Sequence, residues 1–161
     1  MRRKVAFGLG VMLAVLLDQI SKWMVFSSVP WSGRVLISGV LHLTPRNNAG
    51  GAFSLFDSYP GVLTAASIVA ILAIGYWCVR GWPGASRALL WSQGLLLAGA
   101  TGNLIDRVMS PYLVRDFFDF RPELPLIKHW AIFNVADICI CLGVGMYVWA
   151  ELRRGSGASE K

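Results

Sequence analysis

Residues 5–26 read VAFGLGVMLAVLLDQISKWMVF, and this stretch decides the fold. About 20 apolar residues in a helix cross the roughly 30 Å of a bilayer's hydrocarbon, and this run is that long. Arg2, Arg3 and Lys4 precede it, as in a secretory leader, but the run reaches Asp18 with no small-residue A-x-A cleavage site, which predicts a retained first helix. Three further runs of spanning length follow at 61–79, 88–108 and 131–150. The expected fold is an all-α membrane protein of four transmembrane helices, forming a single integral membrane domain over residues 1–161. Its connections are expected to be outer loops at 27–60 and 109–130, a cytoplasmic loop at 80–87 and a flexible tail at 155–161. Arg34–Thr44 (RVLISGVLHLT), β-branched and broken at Ser38-Gly39, predicts a small β-hairpin or cradle on the outer membrane surface.

Composition agrees with the span reading. The chain is 55% hydrophobic and 15% charged, with mean hydropathy +0.56, where a soluble domain has roughly 45–50% apolar and about 25% charged residues. The formal charge of +6 follows topology. Arg2, Arg3, Lys4, Arg80, Arg87, Arg153, Arg154 and Lys161 fall on one side against Glu151 and Glu160, which predicts both termini in the cytoplasm. No nucleic-acid motif accompanies the basic residues, so no nucleic-acid partner is expected. Trp23, Trp31, Trp82, Tyr112, Trp130 and Trp149 cluster at span ends, as interfacial anchors do. Cys78, Cys139 and Cys141 lie in apolar runs and form neither a disulfide framework nor a metal site.

Ionisable side chains within a bilayer are costly, so those present are expected to be partnered and functional. Asp18 and Lys22 share a face of the first helix at i, i+4, as do Asn103, Asp106 and Arg107 on the third and Asn134 and Asp137 on the fourth. At 1.5 Å per residue, Asp18 and Asp106 lie roughly 20 and 25 Å above the inner ends of their helices, and Asp137 roughly 9 Å below its outer end. Three helices thus deliver polar faces to one level near the outer leaflet. An inert interhelical clamp is the plain alternative.

Asp116 changes that balance. The apolar side chains of residues 113–120, LVRDFFDF, draw its loop to the membrane surface beside Asp137. Two carboxylates at such a boundary can share one proton, one acting as base toward water and the other as acid, which is aspartic protease chemistry. Other mechanisms lack their residues. There is no His-Glu-x-x-His, and His42 and His129 lie in separate loops. Ser21 and Lys22 are neighbours on a helix, pointing about 100° apart. No metal or cofactor is expected. The Gly-x-Gly-Asp of presenilin-like and prepilin-type proteases is absent.

The chain resembles bacterial lipoprotein signal peptidase, signal peptidase II, through five blocks in order along its whole length: residues 18–22 (DQISK), 48–54 (NAGGAFS), 102–107 (GNLIDR), 114–117 (VRDF) and 133–137 (FNVAD). The resemblance implies that Asp116 and Asp137 are catalytic, that Asn48, Gly50, Asn103, Arg107 and Asn134 bind substrate, and that Asp18, Lys22 and Asp106 brace the site. Its implied reaction is hydrolysis of the peptide bond before the lipidated cysteine of a diacylglyceryl prolipoprotein, in the bacterial inner membrane, by a monomer in contact with membrane lipids. Arg115 departs from the two apolar residues usual before the catalytic Asp, and Asp119 competes with Asp116 in the Asp-Phe-x-Asp-Phe repeat. The rival readings are a proton-coupled transporter module and a noncatalytic assembly subunit packed through Gly94, Gly99 and Gly102.

Overall fold

The computed structural model describes residues 2–49, 60–110, 113–121 and 130–156. Along them run helix α1 (Arg2–Ser28), strands β1 (Arg34–Ile37) and β2 (Leu41–Asn48), helix α2 (Pro60–Gly81), a 3-10 turn at Trp82–Gly84, helix α3 (Arg87–Met109), strand β3 (Val114–Phe120) and helix α4 (Val135–Ser156). All four α-helices are long and apolar enough to cross a membrane. Their burial is inverted relative to a water-soluble protein. The buried residues of α1 are Asp18, Lys22 and Val25, while Leu9, Met12, Leu13, Leu16 and Leu17 are exposed. An apolar exterior around a polar interior is what lipid as solvent demands.

Helix α3 is the centre of the bundle, packed against the other three helices and half buried, whereas α1 and α2 are almost wholly exposed. Small residues on α3 let its neighbours approach, as expected where apolar burial does not drive association. A Cβ on Gly102 would stand 2.5 Å from an Asp18 carboxylate oxygen and 3.2 Å from the Ala136 Cβ, so glycine there admits Asp18 and the start of α4 together. The turn at 82–84 meets the beginning of α1, where Phe7 packs edge-on against Trp82 at 5.3 Å. The sheet, the end of α1 and the start of α4 share the opposite end.

The hairpin expected at 34–44 is present. Val40 N–H closes its turn onto Ile37 O at 3.1 Å with Gly39 at φ +69°, a left-handed conformation that favours glycine. It is part of a larger element than expected, because residues 114–120, read as loop, form a third antiparallel strand in the order β1-β2-β3. The central strand β2 contains Pro45, which has no N–H for the ladder, and there the β2–β3 register slips between Leu43 and Arg46. On the other edge of β3, Phe117 and Phe118 both donate to Phe133 O, at 3.1 and 2.8 Å, a bulge of two residues opposite one. A regular strand would put Asp116 and Asp119 on opposite faces, since residues alternate. Here the alternation changes phase between Asp116 and Phe117, and both aspartates are buried.

The expected flexible tail begins too early. Gly155 and Ser156 close α4, and residues 157–161 lie outside the described residues. Segments 50–59, 111–112 and 122–129, with Gly50, Tyr112 and His129, also lie outside them.

Candidate active site

The first turn of α4 builds one side of the site. Its opening N–H groups have no partner within the helix, and Asn134 and Asp137 supply partners reciprocally. Asn134 Oδ1 accepts from Asp137 N–H at 2.9 Å, and Asp137 Oδ2 accepts from Asn134 N–H at 3.1 Å. That arrangement follows the geometry of a capping box and holds the Asp137 carboxylate at the helix entrance. Asp137 Oδ1 accepts from Asn103 Nδ2 on α3 at 2.8 Å. The Asn103 amide is oriented by its surroundings. Lys22 Nζ and Asn134 Nδ2 bring hydrogens to its Oδ1 at 3.2 and 3.1 Å, which leaves its own hydrogens for Asp137.

Strand β3 supplies the second carboxylate. Asp116 Oδ1 accepts from Asn134 Nδ2 at 2.7 Å, and Oδ2 accepts from Asn48 Nδ2 at 2.8 Å. Asn134 is therefore the hub, touching Asp116, Asp137 and Asn103 from one fully buried side chain. Burial, followed by the nearby Asp137 carboxylate, pushes the Asp116 carboxyl up to about 7, and the two asparagine donors pull only partly the other way. A carboxyl poised near neutrality can hold or release a proton under working conditions.

Joined to this pair through Asn103 is a second buried cluster with a different composition. Lys22 Nζ reaches Asp18 Oδ2 at 2.8 Å and Asp106 Oδ2 at 3.0 Å, which together with Asn103 uses all three ammonium hydrogens. Asp18 Oδ1 accepts from Ala136 N–H at 2.8 Å, so α1 caps α4. Asp106 also accepts from the Arg115 guanidinium at 2.7 Å and the Arg115 backbone N–H at 2.9 Å. Arg115 thus turns toward Asp106 and bridges to Gln19 Oε1 at 2.9 Å, latching β3 onto α1 and α3. Nothing in the spacing of the helical faces signalled the roles of Gln19 and Arg115, because their partners come from three separate elements.

Arg107 does not join its helical neighbour Asp106. Successive helix residues point about 100° apart, and Arg107 reaches α2 instead, donating from Nη1 to Ser67 Oγ at 3.2 Å. The Ser67 hydroxyl hydrogen goes to Leu63 O at 2.9 Å, which leaves its oxygen free to accept. The charge of Arg107 faces Asp137, Asp116 and Asp106, yet its buried Nε has no partner. Asp119 belongs elsewhere. Among the described residues its carboxylate accepts from Thr44 Oγ1 at 2.9 Å and pairs with Arg121. Although burial acts upward on it, those partners hold the Asp119 carboxyl below the usual range. Of the site residues expected from sequence, the structure brings together Asp18, Lys22, Asn48, Asn103, Asp106, Asp116, Asn134 and Asp137, with Arg107 facing them; Gly50 lies outside the described residues.

A bundle with an apolar exterior is capped by a small sheet, and buried carboxylates lie where the two meet. Two solved structures described as bacterial membrane enzymes share this fold. One matches with a TM-score of 0.84 and 26% identity over 97% of this chain and 93% of that one. The other has a TM-score of 0.77, also at 26% identity, over 91% and 92%. Residues 10–153 match the signal peptidase II family, Peptidase_A8, and the chain belongs to that family of peptidases. Similar proteins include the lipoprotein signal peptidases of Halothermothrix orenii, 33% identical over 90% of this chain and 96% of that protein, and Nitratidesulfovibrio vulgaris, 32% identical over 97% of each. That of Thermosynechococcus vestitus is 37% identical over 86% and 85%.

Proposed function

We propose that this peptidase removes signal peptides from diacylglyceryl-modified prolipoproteins by cleaving before the lipidated cysteine, with Asp116 and Asp137 as its catalytic pair. The observation that carries the proposal is the hydrogen-bonded bridge from Asp116 through Asn134 to Asp137, combined with an Asp116 carboxyl raised to about 7. The pair holds one proton between two carboxylates and titrates as a unit. The ionised member takes a proton from water as the water oxygen bonds to the scissile carbonyl carbon. The protonated member gives its proton to the carbonyl oxygen. Collapse of that intermediate breaks the C–N bond: the carboxyl that took the water proton gives it to the departing cysteine nitrogen, and the other carboxylate takes back the hydroxyl proton as the carbonyl re-forms.

Asn134 and Asn103 aim the carboxylates, and Asn48 adds a donor to Asp116. Arg107 keeps donor capacity for an acceptor of the substrate, since its buried Nε is unpartnered. Asp18, Lys22 and Asp106 hold the site's base. A substrate with an apolar signal helix and two acyl chains fits a site at the membrane boundary, and the basic residues gathered at the opposite end favour cytoplasmic termini and an outward-facing site. The test is cleavage in detergent of lipidated and unlipidated forms of one precursor, each with and without chelator. The lipidated form should be cut before its cysteine regardless of chelator. Loss of cleavage on chelation, restored by zinc, would remove the aspartic mechanism.

A further inference from the structure

At the end of the bundle opposite the carboxylates, α1 and α3 part to leave a cleft of about 290 Å³ lined by Arg3, Ala6, Phe7, Arg87, Leu90 and Trp91. Its walls are apolar and aromatic and its rim carries two guanidinium groups. Glycines shape those walls. A Cβ on Gly10 would stand 2.7 Å from the Trp91 ring, and one on Gly94 would stand 3.1 Å from the Phe7 ring, so each aromatic approaches the facing helix closely. No lining residue is acidic. Among the described residues, neither Arg3 nor Arg87 makes an ion pair, a side-chain hydrogen bond or a ring contact.

A larger cleft nearby, about 510 Å³, differs in that respect. Its Arg153 lies over the Trp149 ring at 4.3 Å, and its Arg154 faces Glu151 at 3.8 Å. The arginines there are engaged by the protein. Those of the smaller cleft are left for an anion that also presents hydrocarbon.

We propose that the α1–α3 cleft is a binding site for one anionic phospholipid, its headgroup phosphate on Arg3 and Arg87 and an acyl chain against Phe7, Leu90 and Trp91. Basic pockets between transmembrane helices recognise phospholipid headgroups in this way, and guanidinium groups match phosphate oxygens in geometry as well as charge. The site is separate from the carboxylate pair, so its occupancy needs no substrate and no cleavage.

The test is native mass spectrometry of the full-length protein in detergent, titrated with phosphatidylglycerol or phosphatidylcholine. The wild type should retain one phosphatidylglycerol in preference to phosphatidylcholine. R3Q/R87Q should hold it about 30-fold more weakly, roughly a factor of five for each arginine. R153Q/R154Q should bind as the wild type does, and Ala6→Trp, which obstructs the cleft and keeps both charges, should lose the lipid. Equal retention by R3Q/R87Q would place the lipid elsewhere, the substrate site included, and overturn the proposal. So would equal loss in R153Q/R154Q, undiminished retention by Ala6→Trp, or indifference to the headgroup.

Discussion

The two buried carboxylate clusters adjoin through Asn103, the one that includes Asp116 of the sheet termed upper and the one around Lys22 lower, and they are satisfied by opposite means. In the lower one, Asp18 and Asp106 face two cations, Lys22 and Arg115, at 2.7 to 3.0 Å. In the upper one, Asp116 and Asp137 receive hydrogen bonds from neutral donors: the amides of Asn48, Asn103 and Asn134 and one backbone N–H. Among the described residues no salt bridge reaches either upper carboxylate. A cation within contact distance fixes a carboxylate in its ionised form, whereas amides orient it and leave room for a proton. Under the proposed function, the first arrangement is a foundation and the second a reagent.

The largest expected effect comes from removing that reagent. Asp116→Asn and Asp137→Asn should each lower cleavage per folded enzyme by orders of magnitude while substrate is still retained. Because the two act together, the double variant should be scarcely slower than either single one. Multiplicative losses would show two independent roles and break the comparison from above.

The lower cluster should fail differently. Lys22→Met removes the cation that Asp18 and Asp106 share, leaving uncompensated charge in a fully buried place, and breaking such a pair costs about 3–5 kcal/mol. Folded yield and melting temperature should fall, with turnover of the surviving folded molecules closer to normal than in the Asp116 variant. A Lys22→Met enzyme that folds normally and is inactive would move Lys22 into the chemistry.

A smaller effect lies in pH. The folded state holds Asp116 near 7, against 3.8 for an ordinary carboxyl, so folding favours its protonated form. Asp116 then contributes no penalty below about pH 4 and a growing one as pH rises to about 7. The melting temperature of Asp116→Asn relative to wild type should therefore climb between pH 4 and 7 and level off above. Cleavage by the wild type should decline above about pH 7 as the pair loses its shared proton. A difference in melting temperature that is flat with pH would place Asp116 among ordinary carboxylates.

Much of this was legible in the sequence because lipid gives polar residues few places to go. Asp18 and Lys22 four apart in an apolar run had to pair; Asn134 and Asp137, expected to share a face of the fourth helix, do meet, but as cap and first turn, since α4 begins at Val135. What was hidden depended on contacts between elements. The Arg115–Asp106 latch joins a strand to a helix, and its partners have no sequence period in common. The third strand was hidden as well, since VRDFFDF pairs with a strand interrupted by Pro45 and carries a bulge of its own at Phe117-Phe118. A period-2 reading of that segment assigns Asp116 and Asp119 to opposite faces, and only the bulge buries both.

Asp119 is therefore where the comparison between clusters can be sharpened most finely. It is one Asp-Phe step from Asp116 on the same strand and almost as inaccessible to solvent, so accessibility alone does not separate the two. Their partners differ: Asp119 is held by the Arg121 guanidinium and the Thr44 hydroxyl and carries the signature of the lower cluster, a carboxylate fixed by a cation. Arg121 is largely exposed, which limits the pair to about 1 kcal/mol or less once solvent screening is counted. Asp119→Asn should accordingly retain most cleavage activity and lose little stability, the smallest change of any aspartate considered. Cleavage and melting temperature measured side by side on Asp116→Asn and Asp119→Asn decide the matter. An active Asp116→Asn beside a dead Asp119→Asn would transfer the catalytic role one step along the strand, and would mean that a cation-fixed carboxylate can serve where a proton must be shared.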